Sequence, residues 1–140
     1  MITGRDCFYK NCPTKGDEYF FVSDGKIQKQ NWEDAPVDMI RWRTGNCFKT
    51  GADAIFAFNK SIVIAKLRCF ADVNNDEISW KKNTEKFYLR YKRNIDAIEA
   101  VACVYEPVGD IVFSSREIAE QAIVEVGQEN LKKYYFGQED

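Results

Sequence analysis

The chain has 140 residues, of which 45% are hydrophobic and 30% charged, with only 8 Gly and 3 Pro. Such a length and balance predict one compact domain and exclude a disordered tail, a collagen-like repeat or a low-complexity linker. Lys and Arg total 20 against 22 Asp and Glu, a formal charge of -2, so the sum indicates neither a strongly basic nucleic-acid binder nor a strongly acidic DNA mimic. No His is present, which removes Ser-His-Asp hydrolysis, Cys-His proteolysis and His-ligated zinc.

Residues 1–17 are polar and hold no signal-like apolar run, and no stretch reaches the roughly 18 apolar residues of a membrane span. The expectation is a soluble, cytoplasmic protein that does not engage a membrane. Residues 1–15 read as a loosely ordered segment. The five cysteines, Cys7, Cys12, Cys47, Cys69 and Cys103, are odd in number, which favours free thiols. Cys69 and Cys103 fall in apolar patterns and read as small core residues, while Cys7 and Cys12 have a zinc-like spacing but lack a second close pair.

In chain order, GDEYFFVSDGKIQKQ (16–30) places Asp24-Gly25 between two extended runs, the signal of a β-hairpin with a type I′ turn. The segment 31–46 carries Trp32, Glu33, Asp34 and Asp38 with the breakers Pro36 and Gly45, and reads as a loop with one short turn of helix. Ile55, Phe58, Ile62, Ala65 and Cys69 recur at helical spacing, predicting an amphipathic helix capped by Thr50 and ending near Phe70 or Ala71. Its apolar surface extends to Val63, Ile64, Leu67 and Phe70, so more than one face is expected to be covered, by the sheet, by the second helix or by another subunit in a homodimer. Phe87, Leu89 and Tyr91 alternate with Tyr88, Arg90 and Lys92 as a half-buried strand, followed by a second strand within 95–105. Ile111 to Phe113 is a short extended piece, Ser115 caps a second long helix, Gly127 ends it, and a final helical segment starts near Glu129.

Phe48-x-Thr50 with Ala54 and Ala57, and Phe113-x-Ser115 with Ala119 and Ala122, share one spacing, so each helix opens in the same way after an aromatic hairpin. The predicted fold class is α+β: two ββα units, about 16–75 and 80–140, forming one antiparallel sheet with the helices packed on one face.

Three constellations bear on chemistry. Asp72, Asn74 and Asp76 imitate the start of a calcium loop, but Glu77 stands where Gly is needed and Asn83 where a bidentate Glu is needed, leaving a polar connection as the reading. Glu33, Asp34 and Asp38 read first as a solvated acidic loop that caps a short helix. The alternative is a protein-contact loop, since Trp32 beside these carboxylates, followed by Arg41, Trp42 and Arg43, has the ring-plus-charge composition of an interface, although Trp42 equally suits the core. Lys81, Lys82, Lys86, Arg90, Lys92 and Arg93, interleaved with Trp80, Tyr88 and Tyr91, read first as a solvated sheet face with edge lysines that block aggregation, and alternatively resemble a single-strand nucleic-acid platform with weak, salt-sensitive affinity. No thiol has a visible partner base, so no catalytic residue, metal or cofactor is assigned.

Trp32-Glu33-Asp34, then Arg41 with Gly45-Asn46-Cys47-Phe48-Lys49-Thr50, and later Phe113-Ser114-Ser115 with Glu117-Ile118-Ala119, resemble small phage and prophage accessory proteins of Gram-positive bacteria. Those proteins share a W-D-D, R-x-x-x-G-N-x-F-K-T and F-S-S-x-E-x-A pattern, and the resemblance covers most of 16–137. Gly51-Ala52-Asp53 departs from their K-x-E-A, and 62–67 is more apolar than their usual charged helix. The resemblance implies a mobile-element protein of the kind that includes anti-CRISPR proteins, with no catalytic residues to transfer. The implied partner is a host defence protein, a CRISPR effector nuclease or its RNA complex. The resemblance carries no contact residues with it, and those expected from their own ring and charge character are Trp32, Asp34, Asp38, Arg41 and Trp42 on the loop and Arg90, Lys92 and Arg93 on the strand. The alternative is an accessory factor that binds single-stranded nucleic acid.

Overall fold

The computed structural model describes residues 11–81 and 84–139. They divide into two compact units, with the boundary between Phe58 and Asn59. No helix among the described residues is long and apolar enough to cross a membrane.

In the first unit, β1 (Glu18–Ser23) and β2 (Lys26–Asn31) pair antiparallel from Glu18↔Asn31 to Ser23↔Lys26. The turn between them is the expected one: Asp24 and Gly25 both hold positive φ, 51° and 74°. β1 turns Tyr19 and Phe21 inward, where they pack with Trp32, while β2 is almost wholly exposed. Residues 36–43 form a two-turn helix, α1 (Pro36–Arg43), longer than the single turn expected from the breakers. Pro36 stands in its first turn, where a missing N–H costs nothing. Phe48 then bridges Phe20 with both backbone hydrogen bonds at 2.8 Å. One pair further along, the Asn46 side chain stands in for a strand residue: it accepts from the Val22 N–H (2.7 Å) and donates to the Val22 carbonyl (2.8 Å).

The helix α2 (Gly51–Asn74) starts in the first unit and ends in the second. Thr50 caps it as expected, its hydroxyl accepting from the Asp53 N–H at 3.1 Å. It runs past Ala71 because Asn74 donates its side-chain amide to the Phe70 carbonyl and Asn75 its N–H to Ala71. Asp72, Val73 and Asn74 are therefore helical, and the calcium-loop resemblance has no loop beneath it; Asn83 lies outside the described residues.

The second unit holds β3 (Lys86–Lys92), β4 (Ala97–Cys103) and β5 (Val112–Phe113) in the order β4-β3-β5, every pairing antiparallel. α3 (Arg116–Val126) follows, with Ser115 accepting from the Ile118 N–H (3.2 Å) and Gly127 at φ 99° ending it. A short helical piece, Gln128–Asn130, leads into a π-helical turn, Leu131–Tyr135. Phe87, Leu89, Ala100 and Phe113 of the sheet pack with Val63, Leu67 and Ala71 of α2, with Ala119, Ala122 and Val126 of α3, and with Leu131.

The α+β class stands, but the single sheet does not: the strands form two sheets, β1-β2 and β4-β3-β5. Each unit finishes its ladder with its own chain, Asn46 beside β1 and Asn75 beside β5. The buried stripe of α2 is also not the expected one. Ala54, Val63, Leu67 and Ala71 face inward, whereas Ile55 is 50% and Ile62 38% exposed, and Ala65 and Cys69 lie on the surface. A helix apolar on more than one side carries two rows of period 3.6, and packing rather than spacing selects between them. Cys69 is thus exposed, and Cys103 is half-buried rather than core.

Candidate functional site

The segment from Trp32 to Arg41 is built around a buried carboxylate. Asp38 is fully enclosed; one oxygen accepts the Glu33 N–H (2.9 Å) and the Ala35 N–H (3.1 Å), tying down the start of α1, where Ala35 offers no side-chain cap. Its other oxygen accepts the Tyr19 hydroxyl. Arg41 Nη1 donates to that same hydroxyl at 2.8 Å, lies 4.0 Å from the carboxylate, and its guanidinium stands 3.6 Å from the centre of the Phe21 ring. Burial alone pushes the Asp38 carboxyl up; the Tyr19, Glu33 and Ala35 hydrogen bonds and the Arg41 charge outweigh it and hold the group below its ordinary range. Asp34, at φ 56°, turns the chain and accepts the Trp32 indole N–H at 2.7 Å.

Trp32 and Asp38, expected at a contact surface, are therefore interior residues. Arg41 and Trp42 are half-buried, Trp42 against the core of the unit, and Asp34 is exposed. What this framework holds outward is the opposite side of α1. Val37 is 43% and Ile40 58% exposed, three residues apart on one face, with exposed Glu33, Asp34 and Arg43 around them. Sequence reasoning missed this pair by allowing the segment only a single turn of helix, too short to define a face. The signal was present: Pro36 at a first helical position and Asp38 two residues on are the start of a helix, and its period assigns Val37 and Ile40 a common face.

Cys12, Cys47, Tyr19, Trp42, Phe48 and Pro13 line a recess of about 590 Å³ in the same unit. Burial pushes the Cys47 thiol up to about 11, helped by the Asp38 carboxylate and, in the alkaline range where it ionises, by Cys12, against the pull of Arg41; burial, then Asp34, raises Cys12. Both sulfurs are protonated at neutral pH and lack the thiolate character of a nucleophile. No cluster of three metal-ligating side chains occurs among the described residues. Cys7 lies outside them.

The basic stripe on β3 is not an open row of cations. Lys86 is buried with its ammonium 4.8 Å from the centre of the Trp80 ring, Lys92 pairs with Glu99 at 2.9 Å, and Arg93 donates to Gln138 at 3.1 Å. Tyr91 donates its hydroxyl to Asp96 at 2.6 Å, and Asp96 also pairs with Lys132 at 3.1 Å. Arg90 is exposed, opposite Glu99 across the ladder, and Lys81 is exposed; Lys82 lies outside the described residues. A strand with alternate residues outward supplies the rows that the alternation predicted, and cross-strand carboxylates neutralise part of one.

No family model, no curated protein and no solved structure matches this chain.

Proposed function

We propose that this chain is a non-catalytic, phage-encoded inhibitor that binds a host defence protein, a CRISPR effector nuclease or its RNA complex, and covers a surface that protein needs. The phage half rests on the sequence resemblance. The binding half rests on one observation: a short helix whose inner side is fixed by Asp38, Tyr19 and Arg41 turns Val37 and Ile40 to solvent, with exposed Glu33, Asp34 and Arg43 close by in sequence. An apolar centre with a charged rim is the anatomy of a protein interface, and a surface held in place before binding loses little entropy when it docks. Arg41 and Asp38 act beneath this surface as positioning residues, with Asp34 and Arg43 at its rim.

The test is co-purification of the tagged chain with defence effectors expressed in the same cells, beside the Val37→Glu/Ile40→Glu double variant. Recovery of an effector with the wild type and its loss with the variant, at unchanged helical content, is the expected result. Equal recovery by both removes α1 as the contact, and recovery of no defence protein by the wild type contradicts the proposal.

A further inference from the structure

In the second unit, α2 and α3 frame a groove of about 390 Å³. Lys66, Cys69, Phe70 and Val73 line its α2 wall, and Glu125 and Val126 its α3 wall. Val73 is 75% exposed, and Ile62, one turn before Lys66, is also open to solvent. The spacing of Ile62 to Cys69 and of Lys66 to Val73 is two helical turns, so the α2 wall presents a straight row. Lys66 and Glu125 carry opposite charges on opposite walls, and neither forms an ion pair with a described residue.

We propose that this groove is where a second copy of the chain docks, the two copies being related by a two-fold axis that runs along it. An axis in that direction lays α2 of each copy on α3 of the other. Lys66 then comes to the side of Glu125 of the second copy, twice over by symmetry, and Phe70 and Val73, further along the same wall, are covered beside the two pairs. Walls of opposite sign make the groove complementary to itself, the condition an isologous interface sets and one that a foreign partner would have to match independently.

The experiment is sedimentation equilibrium of the full chain alone at about 10 to 100 μM, for the wild type, Lys66→Glu, Glu125→Lys and the double charge swap. The wild type is expected to dimerise, each single reversal to weaken the dimer about tenfold or more, and the swap to restore it to within about threefold. A wild type that stays monomeric overturns the proposal, as do single reversals without effect or a swap that fails to restore the dimer. A Val73→Glu variant that loses a defence partner while the wild type remains monomeric assigns the groove to that partner instead. Because the chain is measured alone, a negative result leaves the inhibitor reading standing on its own test.

Discussion

Asp38 shows how one side chain serves several scales of structure. Its oxygens cap a helix that lacks a capping side chain and, through Tyr19, join that helix to a strand 19 positions earlier in the chain. Asp38→Ala leaves two backbone N–H groups, the Tyr19 hydroxyl and the Arg41 charge without their acceptor, and is expected to lower unfolding stability by about 3 kcal/mol. Tyr19→Phe removes one hydrogen bond and is expected to cost about 1 kcal/mol; urea titration measures both. Asp38 has a folded pKa below its unfolded value, so its contribution is complete above about pH 4 and is lost as the pH falls through the folded pKa. Unfolding curves between pH 7 and pH 2 are expected to show that acid limb, shallower in Asp38→Asn. The cysteines give a second residue-scale expectation. A thiol with a pKa of about 11 instead of 9.0 holds about one hundredth of the thiolate at a given pH, so native Cys47 should react with iodoacetamide about a hundredfold more slowly than in urea. Equal rates would contradict the burial described for it.

At the scale of the element, the two units repeat one device. A hairpin receives an antiparallel phenylalanine on its first strand, Phe48 on Phe20 or Phe113 on Phe87, and two residues later a hydroxyl caps a helix. An asparagine amide completes each ladder, Asn46 on Val22 and Asn75 on Val112 and Ser114. Asn46→Ala leaves the Val22 N–H without its acceptor and Asn75→Ala does the same to Ser114, so each is expected to destabilise by about 1 to 2 kcal/mol in thermal or urea unfolding. A change well below 0.5 kcal/mol would mean that water replaces the amide. The hairpin turn, both hydroxyl caps and the Gly127 stop were legible in the sequence because each depends on local backbone preference. The choice of inward row on α2 was not: Ile55-Ile62-Cys69 and Val63-Leu67-Ala71 are both apolar, and contacts distant in sequence decide between them. Nor was the separation into two sheets, because strand patterns specify faces and leave edges open. The candidate surface was legible only in part, since Trp32 and Asp38 have the composition of a contact loop but serve as its foundation, and Val37 and Ile40 do the facing.

For the molecule as a whole, several of its ionisable side chains are engaged within the fold. The Cys12 and Cys47 thiols are protonated, the enclosed carboxylate is committed to backbone and tyrosine donors, and of the β3 cations Lys92 is paired with Glu99 and Lys86 is buried over the Trp80 ring while Arg90 is exposed. The surfaces on which the two proposals rest are apolar side chains open to solvent: Val37 and Ile40 on α1 for the proposed defence partner, and the α2–α3 groove for the proposed second copy. The two can act together, since a dimer presents two α1 surfaces and gains from linked binding wherever its target offers two sites. An inhibitor that works by covering a surface differs from one that works by chemistry in its stoichiometry. Titration of the purified chain into a fixed concentration of a co-purifying effector nuclease, with residual cleavage read at each step, therefore tests the central claim most directly. The expected result is a linear loss of activity with a break near one chain per effector site; complete loss at a small fraction of an equivalent requires turnover and would contradict the account.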